Sequence, residues 1–100
     1  MPAVTRKGDF CTGHECFPAR SSTEGSNNVY VNNIPVHRLD DGWAVHCCTH
    51  PNVPHGCHGG VLSSGSSSVF VNNKNIGRVG DSVSCGSLVA SGSNNVYAGD

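Results

Sequence analysis

The sequence predicts an all-β fold, a small cone-shaped domain of three pseudo-symmetric short β-hairpin repeats. Gly, Ser and Asn make up 36 of the 100 residues, and these turn-forming residues argue against long helices. Only six residues are aromatic, so a chain of this size has a thin hydrophobic core and needs a further stabilising device. We expect a single domain over residues 1–100.

An internal repeat defines the three units. Residues 25–41 read GSNNVYVNNIPVHRLDD and residues 65–81 read GSSSVFVNNKNIGRVGD, with eight of the 17 positions identical. A third copy starts at residues 92–100, GSNNVYAGD, and its second half matches residues 6–9 near the start of the chain. One unit is therefore split between the two ends of the sequence. Stacked units of this kind share a core that no single unit could bury alone.

Each unit has the pattern of a hairpin that ends in a polar corner. A Val-Tyr-Val or Val-Phe-Val strand precedes the pairs Asn32-Asn33 and Asn72-Asn73, and asparagine tolerates the positive φ of a type I′ turn. A second short strand then runs to Arg38 or Arg78. Each Arg should pair with the Asp three residues later, at the surface, where such a pair contributes little to stability.

Three such units predict pseudo-threefold symmetry, so that each unit could contact one subunit of a homotrimeric partner. Residues 43–60 (WAVHCCTHPNVPHGCHGG) interrupt the repeat with four His and three Cys. That composition is typical of a metal-binding loop. Within it we expect one short helical turn, from Val45 to Thr49.

Charge and hydropathy exclude several classes of partner. The formal net charge is −1 and the basic residues are scattered, so no nucleic acid is expected. No apolar run approaches the ~20 residues of a membrane span, and no stable membrane insertion is expected. The first residues lack the apolar segment of a secretory signal peptide, which predicts synthesis in the cytoplasm.

The six Cys and six His favour metal binding over a disulfide framework, because cytoplasmic thiols stay reduced and disulfides do not need His. Spacing from the repeat landmarks selects the ligands. His14 and His46 each follow a corner Asp by five residues. His58 and Cys85 each precede the next Gly-Ser by seven residues. The predicted metal ligands are therefore His14, His46, His58 and Cys85. Three imidazoles and one thiolate suit tetrahedral Zn²⁺, with iron the weaker alternative.

Several other residues compete for these places. Each of them could be a ligand of this site or of a second site, and the cysteines could instead be buried as small residues or paired in disulfides. The competing residues are Cys11, Cys16, Cys47, Cys48, Cys57, His50 and His55. His37 lies on a hairpin strand outside this group, and we expect it to be an exposed polar residue.

These features together resemble the PAAR-repeat family, over essentially the whole chain. The unit Gly-Ser-x-x-Val-aromatic-Val-Asn is similar to that family's hairpin, and residues 1–9 with the segment from Cys11 to His14 look like its start. The family's Pro-Ala-Ala-Arg position holds Pro-Val-His-Arg at residues 35–38 and Asn-Ile-Gly-Arg at residues 75–78. Asn-Asn replaces the usual Asn-Gly in both turns.

The resemblance implies a cone with Zn²⁺ near its apex and a mechanical function in a contractile injection system. Such a protein is the structural tip of a phage tail or type VI secretion machine and sharpens the spike for membrane piercing. Its partner would be the distal end of a homotrimeric β-helical spike, of the valine-glycine-repeat or phage tail-spike type, with one tip per trimer. The tip would then leave the cytoplasm on the spike, in a virion or by secretion, and effector cargo is a possible further partner.

Two other classes of function are alternatives. A catalytic zinc keeps a position for water and needs a general base nearby, but the chain has two Glu and only Glu15 adjoins a predicted ligand. An enzyme is therefore not expected. The remaining alternative is a small zinc-binding regulatory or interaction module.

Overall fold

The computed structural model describes residues 1–48 and 56–99, and that part of the chain is built from strands and turns without a helix. It follows that these residues include no helix able to cross a membrane. Within these residues six strands form three antiparallel pairs: β1 (Tyr30–Val31) with β2 (Ile34–Pro35), β3 (Gly42–Cys48) with β4 (Gly56–Val61), and β5 (Phe70–Val71) with β6 (Lys74–Asn75). The predicted all-β class is confirmed.

The predicted helical turn from Val45 to Thr49 is wrong over residues 45–48, which belong to β3, while Thr49 lies outside the described residues. Val45 is exposed, His46 is buried, Cys47 is half-buried and Cys48 is buried. This alternation is the two-residue period of a strand. The strand forms because β4 pairs with it.

The two Asn-Asn turns have the predicted geometry. Asn32 and Asn33 have φ angles of 56° and 64°, and Asn72 and Asn73 have φ angles of 54° and 66°. A type I′ turn needs positive φ at both central residues. Each turn therefore connects two strands of two residues each, β1 to β2 in one hairpin and β5 to β6 in the other.

The Arg–Asp corners are more buried than the sequence suggested. In one corner the Asp41 carboxylate accepts hydrogen bonds from the backbone N–H of Arg38 at 2.9 Å and from its Nε and Nη2 at 2.8 and 3.0 Å. Asp41 is only 3% exposed. The expectation of a weak surface pair is wrong, because the neighbouring units cover the corner.

The same corner recurs as Arg6–Asp9 in the split unit and as Arg78–Asp81 in the unit of residues 65–81. In two corners the remaining guanidinium nitrogen reaches the turn of the next unit. Arg6 Nη1 donates to Asn32 Oδ1 and Arg38 Nη1 donates to Asn72 Oδ1, each at 2.9 Å. The corners therefore link the units to one another.

A ring of three backbone hydrogen bonds lies where the three units meet. Thr5 N–H donates to Gly77 O at 3.0 Å, Gly77 N–H donates to His37 O at 3.0 Å, and His37 N–H donates to Thr5 O at 3.2 Å. Each of these residues immediately precedes the Arg of its unit. The closed ring marks the pseudo-threefold axis that the repeat predicted.

His37 is fully buried at this axis, so the expectation of an exposed residue is wrong. Its Nδ1 donates to the carbonyl of Glu24 at 2.8 Å and its ring meets the edge of Trp43. Burial lowers the pKa of His37. The other two axial positions hold Thr5 and Gly77, and a Cβ at Gly77 would lie 2.7 Å from Leu62 and 2.8 Å from Thr5, so that position requires glycine.

Two buried apolar layers stack inside this frame. The hairpin layer contains Val4, Val36, Val71, Ile76 and Ala98. The second layer contains Cys11, Trp43, Leu62, Val83 and Val89. Residues of the second layer lie two positions after a corner Asp or three before a Gly-Ser. In each unit the chain thus runs from the hairpin to the second layer and then to the predicted ligands. The whole body measures 42 × 24 × 22 Å.

Candidate metal centre

The structure brings the four predicted ligand residues together. One potential ligand atom from each of His14, His46, His58 and Cys85 lies within 4.8 Å of all the others. His58 Nε2 is 3.0 Å from His14 Nε2 and 2.7 Å from His46 Nε2. Tetrahedral Zn²⁺ with bonds of about 2.0–2.1 Å places its nitrogen ligands about 3.3 Å apart. A slight outward movement of the rings would therefore fit an ion.

Two of the histidines are placed by strand pairing. His46 on β3 lies directly opposite His58 on β4. Side chains of directly opposed residues lie on the same face of a two-stranded sheet. Both imidazoles therefore project to one side, where His46 is buried and His58 is half-buried.

His14 is held by a tight turn from the first part of the chain. His14 and Phe17 exchange two backbone hydrogen bonds at 3.0 and 2.8 Å. The preceding Gly13 has a φ of 72°, and a Cβ there would lie 2.5 Å from the carbonyl oxygen of Phe17. Only glycine fits this position, so Gly13 directs the chain that presents His14.

Cys85 comes from the third segment, in the turn after Val83. Gly86 N–H donates to Val83 O at 2.9 Å, and Gly86 has a φ of 110°, which favours glycine. Cys85 Sγ lies 3.8 Å from the hydroxyl of Ser87, which is buried. The Cys85 thiol donates to that hydroxyl, and this contact orients the sulfur atom.

The ring of His46 is fixed by a backbone carbonyl. Its Nδ1–H donates to Pro18 O at 2.8 Å, so Nε2 is the ring nitrogen that points to the other predicted ligands and could bind an ion through its lone pair. The pKa of His58 is lowered, first by burial and then by the neighbouring His46 and His14. Both effects favour the neutral imidazole that a metal requires.

An aromatic ring closes one side of the cluster. Phe17 is 5% exposed, and its ring centroid lies 4.9 Å from that of His14, 5.0 Å from His46 and 4.2 Å from His58. It covers one side of the imidazoles and restricts their rotation. The cluster can therefore act as a preformed, half-buried N₃S donor set.

Four of the remaining cysteines form disulfides. Cys16 is bonded to Cys48, and Cys47 is bonded to Cys57. The expectation that these four thiols stay reduced is therefore wrong, because the structure pairs them in disulfides. Cys11 is a free thiol buried in the second layer. His50 and His55 lie outside the described residues.

Sequence reasoning missed the groups that support the ligands. Pro18 lies seven residues before Gly25, the same offset that selected His58 and Cys85. The repeat register could therefore have identified it as the first unit's contribution to the site. Phe17 and Ser87 carry no comparable signal, because an apolar residue and a serine are common next to turns.

Three hairpin units around a common axis, with a His₃Cys cluster at one end, define a small structural domain with a candidate metal centre. The family model of the PAAR motif matches residues 12–91, and the chain belongs to that family. The family is structural rather than enzymatic and is associated with spike-tip proteins. A search of curated proteins finds no significant match.

Proposed function

We propose that this protein is the metal-stabilised tip of a contractile injection spike, and that one copy caps the end of a homotrimeric β-helical spike protein. One observation of the structure carries the proposal. Tyr30, Phe70 and Tyr97 occupy equivalent positions in the three hairpins and are 55%, 55% and 52% exposed. Three matched aromatic side chains suit a partner with three identical subunits.

The exposed side of the hairpins has the composition of a docking surface. Val29 and Val69 precede two of the aromatics and are also partly exposed. Aromatic side chains contribute much of the energy of protein interfaces. The ligand cluster follows the second layer along each unit, so the metal would lie toward the opposite end, where a tip needs rigidity.

We further propose that the bound metal is Zn²⁺. Imidazole nitrogens and one thiolate are donors that zinc prefers in closed structural sites. Four protein ligands would leave no coordination position for water, as expected of a structural rather than a catalytic ion. Elemental analysis of purified protein should find about one zinc per chain, and protein without a transition metal would contradict this.

The docking proposal is tested by measuring the stoichiometry of the complex with a purified trimeric valine-glycine-repeat spike protein. Multi-angle light scattering of the purified complex should give one tip per three spike subunits. The triple variant Tyr30→Glu, Phe70→Glu, Tyr97→Glu should lose binding because it places three charges in the apolar patch. Leu88→Glu is the matched control, since Leu88 is 47% exposed but lies outside the hairpins.

A complex with one tip per spike subunit would contradict the threefold arrangement. Unchanged binding by the triple variant would show that the hairpin aromatics are not the docking surface. Failure to bind any spike, with zinc present, would favour the small zinc-binding interaction module instead. Export on the spike, in a virion or by secretion, and the carriage of effector cargo are further proposals that depend on this docking.

A further inference from the structure

The bonded cysteines adjoin the histidine ligands in sequence. Cys16 lies two residues after His14, and Cys47 and Cys48 directly follow His46. The last bonded cysteine, Cys57, directly precedes His58. The pairs Cys16–Cys48 and Cys47–Cys57 therefore link the three histidine-bearing segments covalently, one to the next.

The two bridges extend in different directions from the same strand. Adjacent residues on a strand point to opposite faces, so Cys47 and Cys48 cannot both turn toward one side of β3. Cys47 reaches its cross-strand neighbour on β4, where Cys47 and Cys57 are register partners. Cys48 reaches Cys16 in the turn that presents His14. The four sulfur atoms therefore act as two separate bridges rather than as a four-thiolate metal site.

We propose that the disulfides Cys16–Cys48 and Cys47–Cys57 position the three imidazoles of the metal centre, so that metal affinity depends on the redox state of these four cysteines. The inference rests on the metal centre proposed above and adds that the redox state of the cysteines regulates its affinity for metal. With both bridges formed, the segments of His14, His46 and His58 cannot separate. The ion then meets a preformed site and little ordering free energy opposes binding.

Reduction would weaken the histidine site because it frees the segments that carry the imidazoles. The turn at His14 would then be joined to β3 only by non-covalent contacts, such as the hydrogen bond from His46 to Pro18 O. Cys85 lies in a turn closed by its own backbone hydrogen bonds, so its position does not depend on the bridges.

Formation of the bridges needs an oxidant, which we assign to the class of small-molecule disulfides. One protein thiolate attacks the disulfide, forms a mixed disulfide and releases one small thiol. The second protein thiolate then displaces the other small thiol and closes the bridge. Each bridge thus oxidises two cysteines, reduces one small disulfide to two thiols and releases no other product. A reducing cytoplasm would hold the bridges open, and an oxidising exterior would close them.

Native mass spectrometry tests the proposal on the intact wild-type chain. The protein is stripped of metal, poised in graded mixtures of thiol and disulfide, and given limiting buffered Zn²⁺. Thiol alkylation then counts the bridges in the same molecules. Zinc occupancy should rise with the number of bridges, and the affinity of the fully reduced protein should be at least tenfold lower than that of the oxidised protein. Equal occupancy in both states would overturn the proposal.

Paired variants test the positioning of the imidazoles without adding free thiols that could bind zinc themselves. Cys16→Ser with Cys48→Ser, and Cys47→Ser with Cys57→Ser, remove one bridge each without leaving free thiols. Each pair should lower zinc affinity about tenfold or more, whereas Cys11→Ser should not. If a paired variant fails to fold, the wild-type titration still decides. Oxidised wild-type protein that binds no zinc would defeat the metal centre itself. Binding that ignores the bridges would defeat only the redox control.

Discussion

The four predicted ligand residues could be selected from the sequence because each has a fixed place in the repeat. Counting from the corner Asp or the next Gly-Ser separated His14, His46, His58 and Cys85 from the other His and Cys of the described chain, and the structure brings those four together. His37 was misjudged for the complementary reason. Its burial depends on the other two units, which place Thr5 and Gly77 beside it.

A first prediction concerns the single sulfur ligand. Cys85→Ser replaces a thiolate with a neutral hydroxyl, which is a poor zinc ligand. Since loss of outer-shell partners alone costs about 10–100-fold in metal affinity, we expect Cys85→Ser to lower zinc affinity by more than about 100-fold. Competition with a chromophoric chelator measures it. Cys11→Ser is the control, and equal effects of the two substitutions would show that Cys85 is not a ligand.

A second prediction concerns pH and His37. Burial lowers the pKa of His37 in the folded protein, whereas the unfolded chain titrates near its ordinary value of about 6.5. Below that pH the unfolded state binds a proton that the folded state does not, so stability falls as pH falls. Glu24 and Asp41 oppose this shift of the pKa and Arg38 supports it, but burial is the largest cause.

The variant His37→Gln removes this titration while keeping a donor for the Glu24 carbonyl. Urea unfolding of metal-free protein should show that the wild type loses more stability than the variant between about pH 7 and about pH 5.5, by at most about 1.4 kcal/mol per pH unit. The other histidines are the same in both proteins, so their contributions cancel in the comparison. Identical pH profiles would show that His37 is not protonated on unfolding.

At the scale of the elements, the sequence could predict the hairpins but not the links between them. The Asn-Asn turns follow from local backbone preference, so the pattern found them. The burial of the Arg–Asp corners depends on side chains from a neighbouring unit, which no single repeat shows. The disulfides were missed because cysteine pairing cannot be read from spacing, and because the compartment argument favoured free thiols.

A third prediction separates the turn from the junction it makes. Asn72 Oδ1 accepts hydrogen bonds from Ser26 Oγ at 2.7 Å and from Arg38 Nη1 at 2.9 Å. Asn72→Gly keeps the positive φ but removes this acceptor and the hydrogen bond that Asn72 Nδ2 donates to Asn28 Oδ1 at 2.9 Å, at a cost of about 0.5–1.5 kcal/mol for each hydrogen bond lost. Asn73→Gly should change stability little, because the Asn73 side chain makes no hydrogen bond with the described residues. Chemical denaturation measures both variants, and equal stabilities would show that the junction contributes nothing.

At the scale of the whole molecule, three kinds of link join the units. Hydrogen bonds close the ring at the axis and join two Arg corners to the turn of the next unit, two disulfides join the segments near the predicted ligands, and a metal would connect residues from position 14 to position 85. The sequence predicted the metal as the device that compensates for a thin core. With the other two links present, the metal is one of three contributions, and its share can be measured.

The last prediction is that removing the metal lowers the melting temperature of the oxidised protein by tens of degrees. A ligand present at about 1,000 times its dissociation constant stabilises the native state by about 4 kcal/mol. In a domain of 60–100 residues each kcal/mol shifts the melting temperature by about 4–8 °C, which gives a shift of roughly 16–33 °C. The disulfides do not replace this contribution, because they act mainly on the unfolded chain. They leave Cys85 and its segment unbridged. Calorimetry with and without a strong chelator measures the shift, and zinc added back should reverse it. If the metal-free protein melts cooperatively within a few degrees of the loaded one, the hydrogen-bonded ring and the disulfides hold the tip together without the ion.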